Sequence, residues 1–173
     1  EHGKFFDHLE KVFPSLIDHC DERIICQLMW SFASLKRYNE DFFSSMVDAV
    51  TRQASDLQVS AISTILWSLA TTLPYRGPSP PARAFARVAS DLLRSTDLEE
   101  LKKCTTRSLV MMTRSLVKLS NEGRQVADWL APTLGYLTRV IDVKQCNGQD
   151  LSVIAWAHAT ANINSEILDE VYG

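Results

Sequence analysis

Several things are scarce or missing in this sequence, and each absence closes off a class of protein. Glycine occurs only 6 times in 173 residues, too rarely for the many tight turns of a sheet-rich fold. Hardly any segment alternates apolar and polar residues as a half-buried strand does. The cysteines are Cys20, Cys26, Cys104 and Cys146. None forms a C-x-x-C pair and none has a histidine at zinc-ligand spacing, so they read as free thiols in a reducing compartment. No apolar run approaches the roughly 20 residues that a membrane span needs.

Catalytic patterns are missing as well. There is no glycine-rich phosphate loop, nucleophile elbow or metal motif. His2, His8, His19 and His158 are scattered, and His158 falls at an apolar phase position that marks it as a core residue. Asp97, Glu99 and Glu100 are helix-start acids that suit the helix dipole. The expectation is a protein that is not an enzyme, with no cofactor, metal or small-molecule substrate.

An overall cationic excess is also lacking, since 18 basic residues face 21 acidic ones for a net charge of −3. The charge is unevenly spread. Residues 1–75 carry −4, residues 76–145 carry +5 and residues 146–173 carry −4. The total gives no global cationic signature for nucleic acid, and a basic middle between acidic ends is the only long-range electrostatic feature.

What is present is a succession of amphipathic helices. A helix over 3–19 is expected to kink or split at Pro14. Asp21 caps a helix to about 36, and Asn39 caps one to about 54. Asp56 opens a helix ending near Leu73-Pro74, and PYRGPSPP at 74–81 is a loop. Ser79-Pro80 starts a helix to about 95, and Thr96 with Glu99 forms a capping box before a short helix over 97–103. Helices over 105–119 and 122–141 follow, the second bent by Pro132 and Gly135. Asn147-Gly148 turns into a helix over 148–161, and Asn164 caps a last one. The start at Glu1 without Met and the stop at Gly173 inside that expected helix read as a piece of a longer protein.

One phrase recurs along the chain. Residues 61–71 read AISTILWSLAT, 24–35 IICQLMWSFASL, 150–161 DLSVIAWAHATA, and 108–119 SLVMMTRSLVKL with Arg114 in the tryptophan slot. The slots at Trp30, Trp67, Arg114 and Trp156 are 37, 47 and 42 residues apart. In phase with them stand Ile25, Ile62, Leu109 and Leu151 five residues before, and Leu28, Ile65, Met112 and Ile154 two before. Two after come Phe32, Leu69, Leu116 and His158, and three after come Ala33, Ala70, Val117 and Ala159. Periods of this size made of two helices predict an all-α chain, an α-solenoid of about four stacked two-helix repeats over residues 1–173. The repeat pairs are approximately 22–54, 56–95, 97–141 and 148–173, preceded by the helix at 3–19. The tryptophan is expected to fill the gap between neighbouring pairs, at about 2–3 kcal/mol per buried ring. On that reading the ring is structural and function lies on the opposite, polar face.

The phrases ISTILWSLAT and QDLSVIAWAHAT resemble the Q-D-L-x-x-x-x-W-A-x-A core of octotricopeptide and heptatricopeptide repeats, found in organellar RNA-binding proteins beside RAP domains and in FAST-kinase-like proteins. The resemblance runs through 24–36, 56–73 and 148–161, is weak at 104–119, and with the intervening helices covers nearly the whole chain. It implies an organellar location, mitochondrial or plastid, and binding of single-stranded RNA or, in a mitochondrial ribosome subunit, ribosomal RNA and neighbouring proteins. No RAP domain is visible. The alternative is a protein-binding scaffold in a large mitochondrial complex without RNA contact.

The candidate RNA contacts follow from the repeat phase. Seven residues before each slot stand Arg23, Ser60, Arg107 and Gln149, and three before stand Gln27, Thr64, Met111 and Val153. Arginine and glutamine hydrogen-bond base edges, and arginine also holds phosphate or stacks; an ordinary solvated helix face carries the same residues. A second surface is the basic block of Arg83, Arg87, Arg94, Lys102, Lys103, Arg107, Arg114 and Lys118, suited to phosphate. Arg114 either marks a slot open to water, the favoured reading, or pairs there with an acid or a phosphate, because an unpaired buried arginine is very costly.

Overall fold

The computed structural model describes residues 2–54, 57–72, 77–121 and 126–162. Among these residues every regular element is helical, and only a single bridge between Asn121 and Val126 has β character. The helices are α1 (His2–Val12), α2 (Glu22–Ser34), α3 (Glu40–Arg52), α4 (Val59–Thr71), α5 (Pro80–Ser95), α6 (Leu98–Lys102), α7 (Thr106–Leu119), α8 (Leu130–Thr138) and α9 (Gly148–Thr160). None is long and apolar enough to cross a membrane.

Local chemistry accounts for most of the boundaries. Pro14 splits the first segment, and after Val12 the chain continues as 3-10 turns at Phe13–Ser15 and Ile17–His19. The Asp21 carboxylate accepts from the Ile24 N–H at 2.9 Å to cap α2, and the Asn39 side chain accepts from the Phe42 N–H at 3.1 Å to cap α3. Asn147 and Asp150 form a reciprocal capping box at α9. Lys36, at φ 54°, takes the left-handed position that ends α2, so that the Arg37 N–H bonds back to the Phe32 carbonyl.

Three expectations need correction. The cap before α6 is Asp97, whose carboxylate accepts the Glu99 N–H, whereas the Thr96 hydroxyl donates to the Leu92 carbonyl. Residues 122–125 of the expected helix over 122–141 lie outside the described residues, and from Val126 onward the regular helix is only the shorter α8. Its Pro132 lies in the first turn, where the missing N–H has no intrahelical partner to lose, so the proline sits near a helix start and not at a bend. The central helix starts at Val59 after Gln58, past the expected opening at Asp56. Asp56, Leu73 to Arg76 of the proline-rich loop and the Asn164 cap lie outside the described residues.

Packing sorts the helices into two rows. Helices α2, α4, α7 and α9 pack one against the next, and α3, α5 and α8 do the same beside them. Members of the first row run in the same direction. The Cys26 thiol of α2 meets the Ala61 carbonyl in the first half of α4, and the Lys118 ammonium meets the Ala70 carbonyl at the far ends of α7 and α4. The Thr106 hydroxyl of α7 donates to Gln145 just ahead of α9, which places their starts together.

The core lies between and within these rows. Ile25, Met29, Ile62, Ile65, Leu66, Leu109, Met112 and Leu116 are buried on the first row, with Phe42, Met46, Phe85 and Leu93 on the second. Complete burial of such a side chain contributes about 1.5–3 kcal/mol. Phe6, Phe32 and Phe42 join α1, α2 and α3 through ring contacts at 5.1 and 4.5 Å. Tyr136 of α8 donates to the Thr96 carbonyl at 2.7 Å, tying α8 to the end of α5. His158 is 2% exposed. Its Nδ1 hydrogen-bonds the Ile154 carbonyl at 2.8 Å and its Nε2 lies within hydrogen-bond distance of the Thr138 hydroxyl, at 3.0 Å, so it joins α8 to α9 as a core residue.

The repeat tryptophans are not in the core. Trp30 is 53% exposed and Trp156 44%, with Trp67 half-buried, whereas Trp129, which belongs to no repeat phrase, is buried. The reason is helical phase. The slot lies seven residues after the outward-facing Arg23 of α2 and its counterparts, and seven residues at 3.6 per turn return to within about 20° of the same direction. Leu151 and Ala159 are also exposed, against expectation. Their counterparts Ile62 and Ala70 on α4 are covered by neighbouring helices, but α9 ends the row among the described residues.

Candidate nucleic-acid interface

Four phase positions of the first row face solvent together. Before the slot by seven stand Arg23, Ser60, Arg107 and Gln149, and by three Gln27, Thr64, Met111 and Val153. At the slot are Trp30, Trp67, Arg114 and Trp156, and four residues on come Ser34, Thr71, Lys118 and Thr160. None of the sixteen is buried, since i, i+4, i+7 and i+11 share one side of a helix. The parallel packing of α2, α4, α7 and α9 sets these positions side by side as a continuous face.

Electrostatically this face differs from the rest of the chain. Its sixteen residues include four cations, Arg23, Arg107, Arg114 and Lys118, and no Asp or Glu, whereas the whole chain carries −3. Arg23, Arg107 and Arg114 are exposed and make no ion pair among the described residues. Arg114 therefore occupies a slot open to water. Lys118 is partly buried, and burial, followed by the nearby Arg114 charge, lowers its pKa from the ordinary lysine value.

Between α2 and α4 the face opens into a groove of about 550 Å³ lined by Glu22, Arg23, Cys26, Gln27, Trp30, Gln58, Ser60, Ala61 and Thr64. Four of the residues singled out from sequence, Arg23, Gln27, Ser60 and Thr64, come together here. Glu22, Cys26, Trp30, Gln58 and Ala61 join them from outside the set of candidate contacts. For Trp30 the signal was already present, since it stands three and seven residues after Gln27 and Arg23. Burial, and secondarily the Glu22 charge, push the Cys26 thiol up to about 11, so it stays protonated at neutral pH and acts as a small apolar wall.

The basic block does not act as one unit. Arg107, Arg114 and Lys118 belong to α7 and the face just described. Arg83 and Arg87, one turn apart on α5, line a separate groove of about 490 Å³ with Asp128 and Trp129. Arg83 also donates to the Pro78 carbonyl at 3.2 Å. Lys102 pairs with Glu99 at 2.7 Å and Lys103 with Glu100, both on α6, and Arg94 pairs with Asp91 at 2.6 Å on α5. The Glu99 hydrogen bond raises the Lys102 pKa. These paired cations offer less to an anion than the unpaired ones of α2 and α7. Gln149 is exposed in the first turn of α9.

Among the described residues no group of histidine, cysteine or acidic side chains is placed to hold a metal ion, and the cysteines are free thiols. The face offers planar aromatic and guanidinium surfaces, amide and hydroxyl groups and unpaired positive charge, which suit stacking, edge hydrogen bonds and phosphate contact. No family model, curated protein or solved structure matches the chain.

Proposed function

We propose that the two helix rows form an α-solenoid of about four two-helix repeats that serves as an RNA-interaction module of an organellar gene-expression protein. The observation that carries this is the set of sixteen outward positions of the first row, which hold four cations, three tryptophans and no acid on a chain of net negative charge. Helix-repeat arrays present such a surface to extended partners, and single-stranded RNA supplies phosphates and exposed bases to match it. The likeness of the repeat phrases to octotricopeptide repeats supports a mitochondrial or plastid setting. The subunit of a mitochondrial ribosome, contacting ribosomal RNA on this face and neighbouring proteins elsewhere, is the specific form of the proposal.

The competing reading is a protein-binding scaffold of a mitochondrial complex. The exposed Phe5, Leu16, Ile24 and Leu35 near the start of the first row favour it. Salt separates the two. If the four cations of the face each hold a phosphate of a single strand, the logarithm of affinity should fall with the logarithm of salt at a slope of about −3. Fluorescence anisotropy of a labelled single-stranded RNA across a salt series measures this. A flat salt response, or no binding, would leave the scaffold reading in place.

A further inference from the structure

Trp30, Trp67, Arg114 and Trp156 occupy the same phase of four consecutively packed, parallel helices, so three indoles and one guanidinium form a line across the face. Two of these rings are about half exposed, which wastes apolar area unless something covers them. Indole and guanidinium share one property that ordinary surface residues lack, a flat π face. Both stack on nucleobases.

We propose that this line is a base-stacking track for single-stranded RNA, and that the α2–α4 groove is its first nucleotide subsite; this rests on the RNA reading above. In that subsite Trp30 stacks against the base. Gln27 and Thr64, on the facing walls, supply an amide and a hydroxyl to the base edge, and Arg23 meets the phosphate. Glu22 also lines the groove, beside Arg23, and confines the phosphate to the arginine side. The track runs from there over Trp67 and Arg114 to Trp156, with Arg107 and Lys118 flanking the third position. A protein segment is the less favoured occupant because, Glu22 at the groove edge apart, the face carries four cations and no carboxylate at its sixteen positions, a balance that complements a polyanion.

The test compares the wild-type chain with Trp30→Ala and Trp30→Phe. The probes are labelled uridine and adenosine strands of about twelve nucleotides and an abasic ribose-phosphate strand of the same length. Trp30 is half exposed, so neither variant disturbs the core, and thermal melting checks that. Trp30→Ala should weaken binding to the base-bearing strands about tenfold, and Trp30→Phe should recover most of it. On the abasic strand all three proteins should bind alike, and indole emission should be quenched only by strands with bases. If Trp30→Ala leaves base-bearing strands unaffected while salt-dependent binding persists, the track is overturned and the RNA reading stands. An equal loss on the abasic strand overturns it too, since the ring would then be acting through structure. Absence of binding by any strand removes the RNA reading itself and leaves the row to a protein partner.

Discussion

The Lys118 ammonium donates to the main-chain carbonyl of Ala70, 3.3 Å away across the contact between α7 and α4. Ala70 belongs to the last turn of α4, where carbonyls have no intrahelical donor. A cation there is favoured both by the hydrogen bond and by the helix dipole. One lysine thus satisfies the end of one helix, fixes the alignment of its neighbour and stands in the open face beside Arg114.

That position makes Lys118 a reporter. Burial first, and the Arg114 charge second, lower its pKa from the model-peptide value of 10.5. In the interval between the lowered folded value and 10.5 the unfolded chain binds more protons, so this group makes stability rise with pH there and adds a constant cost below it. Arg114→Gln should move the lysine titration up toward the ordinary value without fully restoring it, because burial remains. A bound polyanion should move it in the same direction. NMR titration of the Lys118 ε-methylene signals reads both shifts, and a downward move in either case would contradict the assignment.

Two hydroxyls in the first row, Ser63 Oγ and Thr113 Oγ1, are buried without a hydrogen-bond partner among the described residues. An unsatisfied buried hydroxyl costs on the order of 1–3 kcal/mol, part of which an isosteric apolar group recovers. Thr113→Val keeps the shape and should stabilise the fold by about 1 kcal/mol. Chemical denaturation monitored by circular dichroism checks this. A loss of similar size would mean that the hydroxyl is bonded after all.

Helix α1 is held to the α2–α3 turn by one cluster. Arg37 pairs with Asp7 at 2.6 Å and Glu10 at 3.0 Å, lies over the Phe6 ring at 5.6 Å, and Asn39 donates to the other Glu10 oxygen at 2.9 Å. Arg37→Ala should free α1 with little effect on the global melt, since exposed pairs contribute little individually. Hydrogen exchange should speed up over residues 2–12 while α4 and α7 keep their protection. High salt should mimic the variant in part. Uniform loss of protection would show that α1 is part of the cooperative core instead.

Where the sequence could be read and where it could not follows from the range of the forces involved. Asp21, Asn39 and Asn147 were recognisable because capping is decided within three residues. The buried stripe of Ile62, Ile65, Leu66 and Leu69 was recognisable because its period is local. Leu151 carries the same signal as Ile62 yet is exposed, because covering it depends on a neighbour that α9 lacks among the described residues. Arg83 and Arg107 belong to one basic run, but successive helices alternate between the rows, so linear clustering did not become one patch. The tryptophans were misplaced for a different reason. The apolar area of indole argued for burial, while the seven-residue spacing from Arg23 to Trp30 argued for a shared outward face, and phase outweighed area.

That outcome can be tested without any RNA. Trp30 and Trp156 are open to solvent, whereas Trp129 is only 8% exposed. Acrylamide should therefore quench wild-type emission in two populations, one accessible and one protected. The double variant W30F/W156F, which leaves the core ring in place, should lose most of the accessible component and shift the remaining emission to the blue. Iodide adds a second discrimination. Trp30 and Trp156 lie on a face whose sixteen outward positions carry four cations and no carboxylate, Glu22 standing at the groove edge, and this excess of positive charge raises the local concentration of an anion. Iodide should quench the wild type more effectively than caesium does at equal ionic strength, and Arg114→Glu should reduce that preference. Equal quenching of all tryptophans, or an accessible component that survives W30F/W156F, would place the rings back between the helices and remove the stacking line with them.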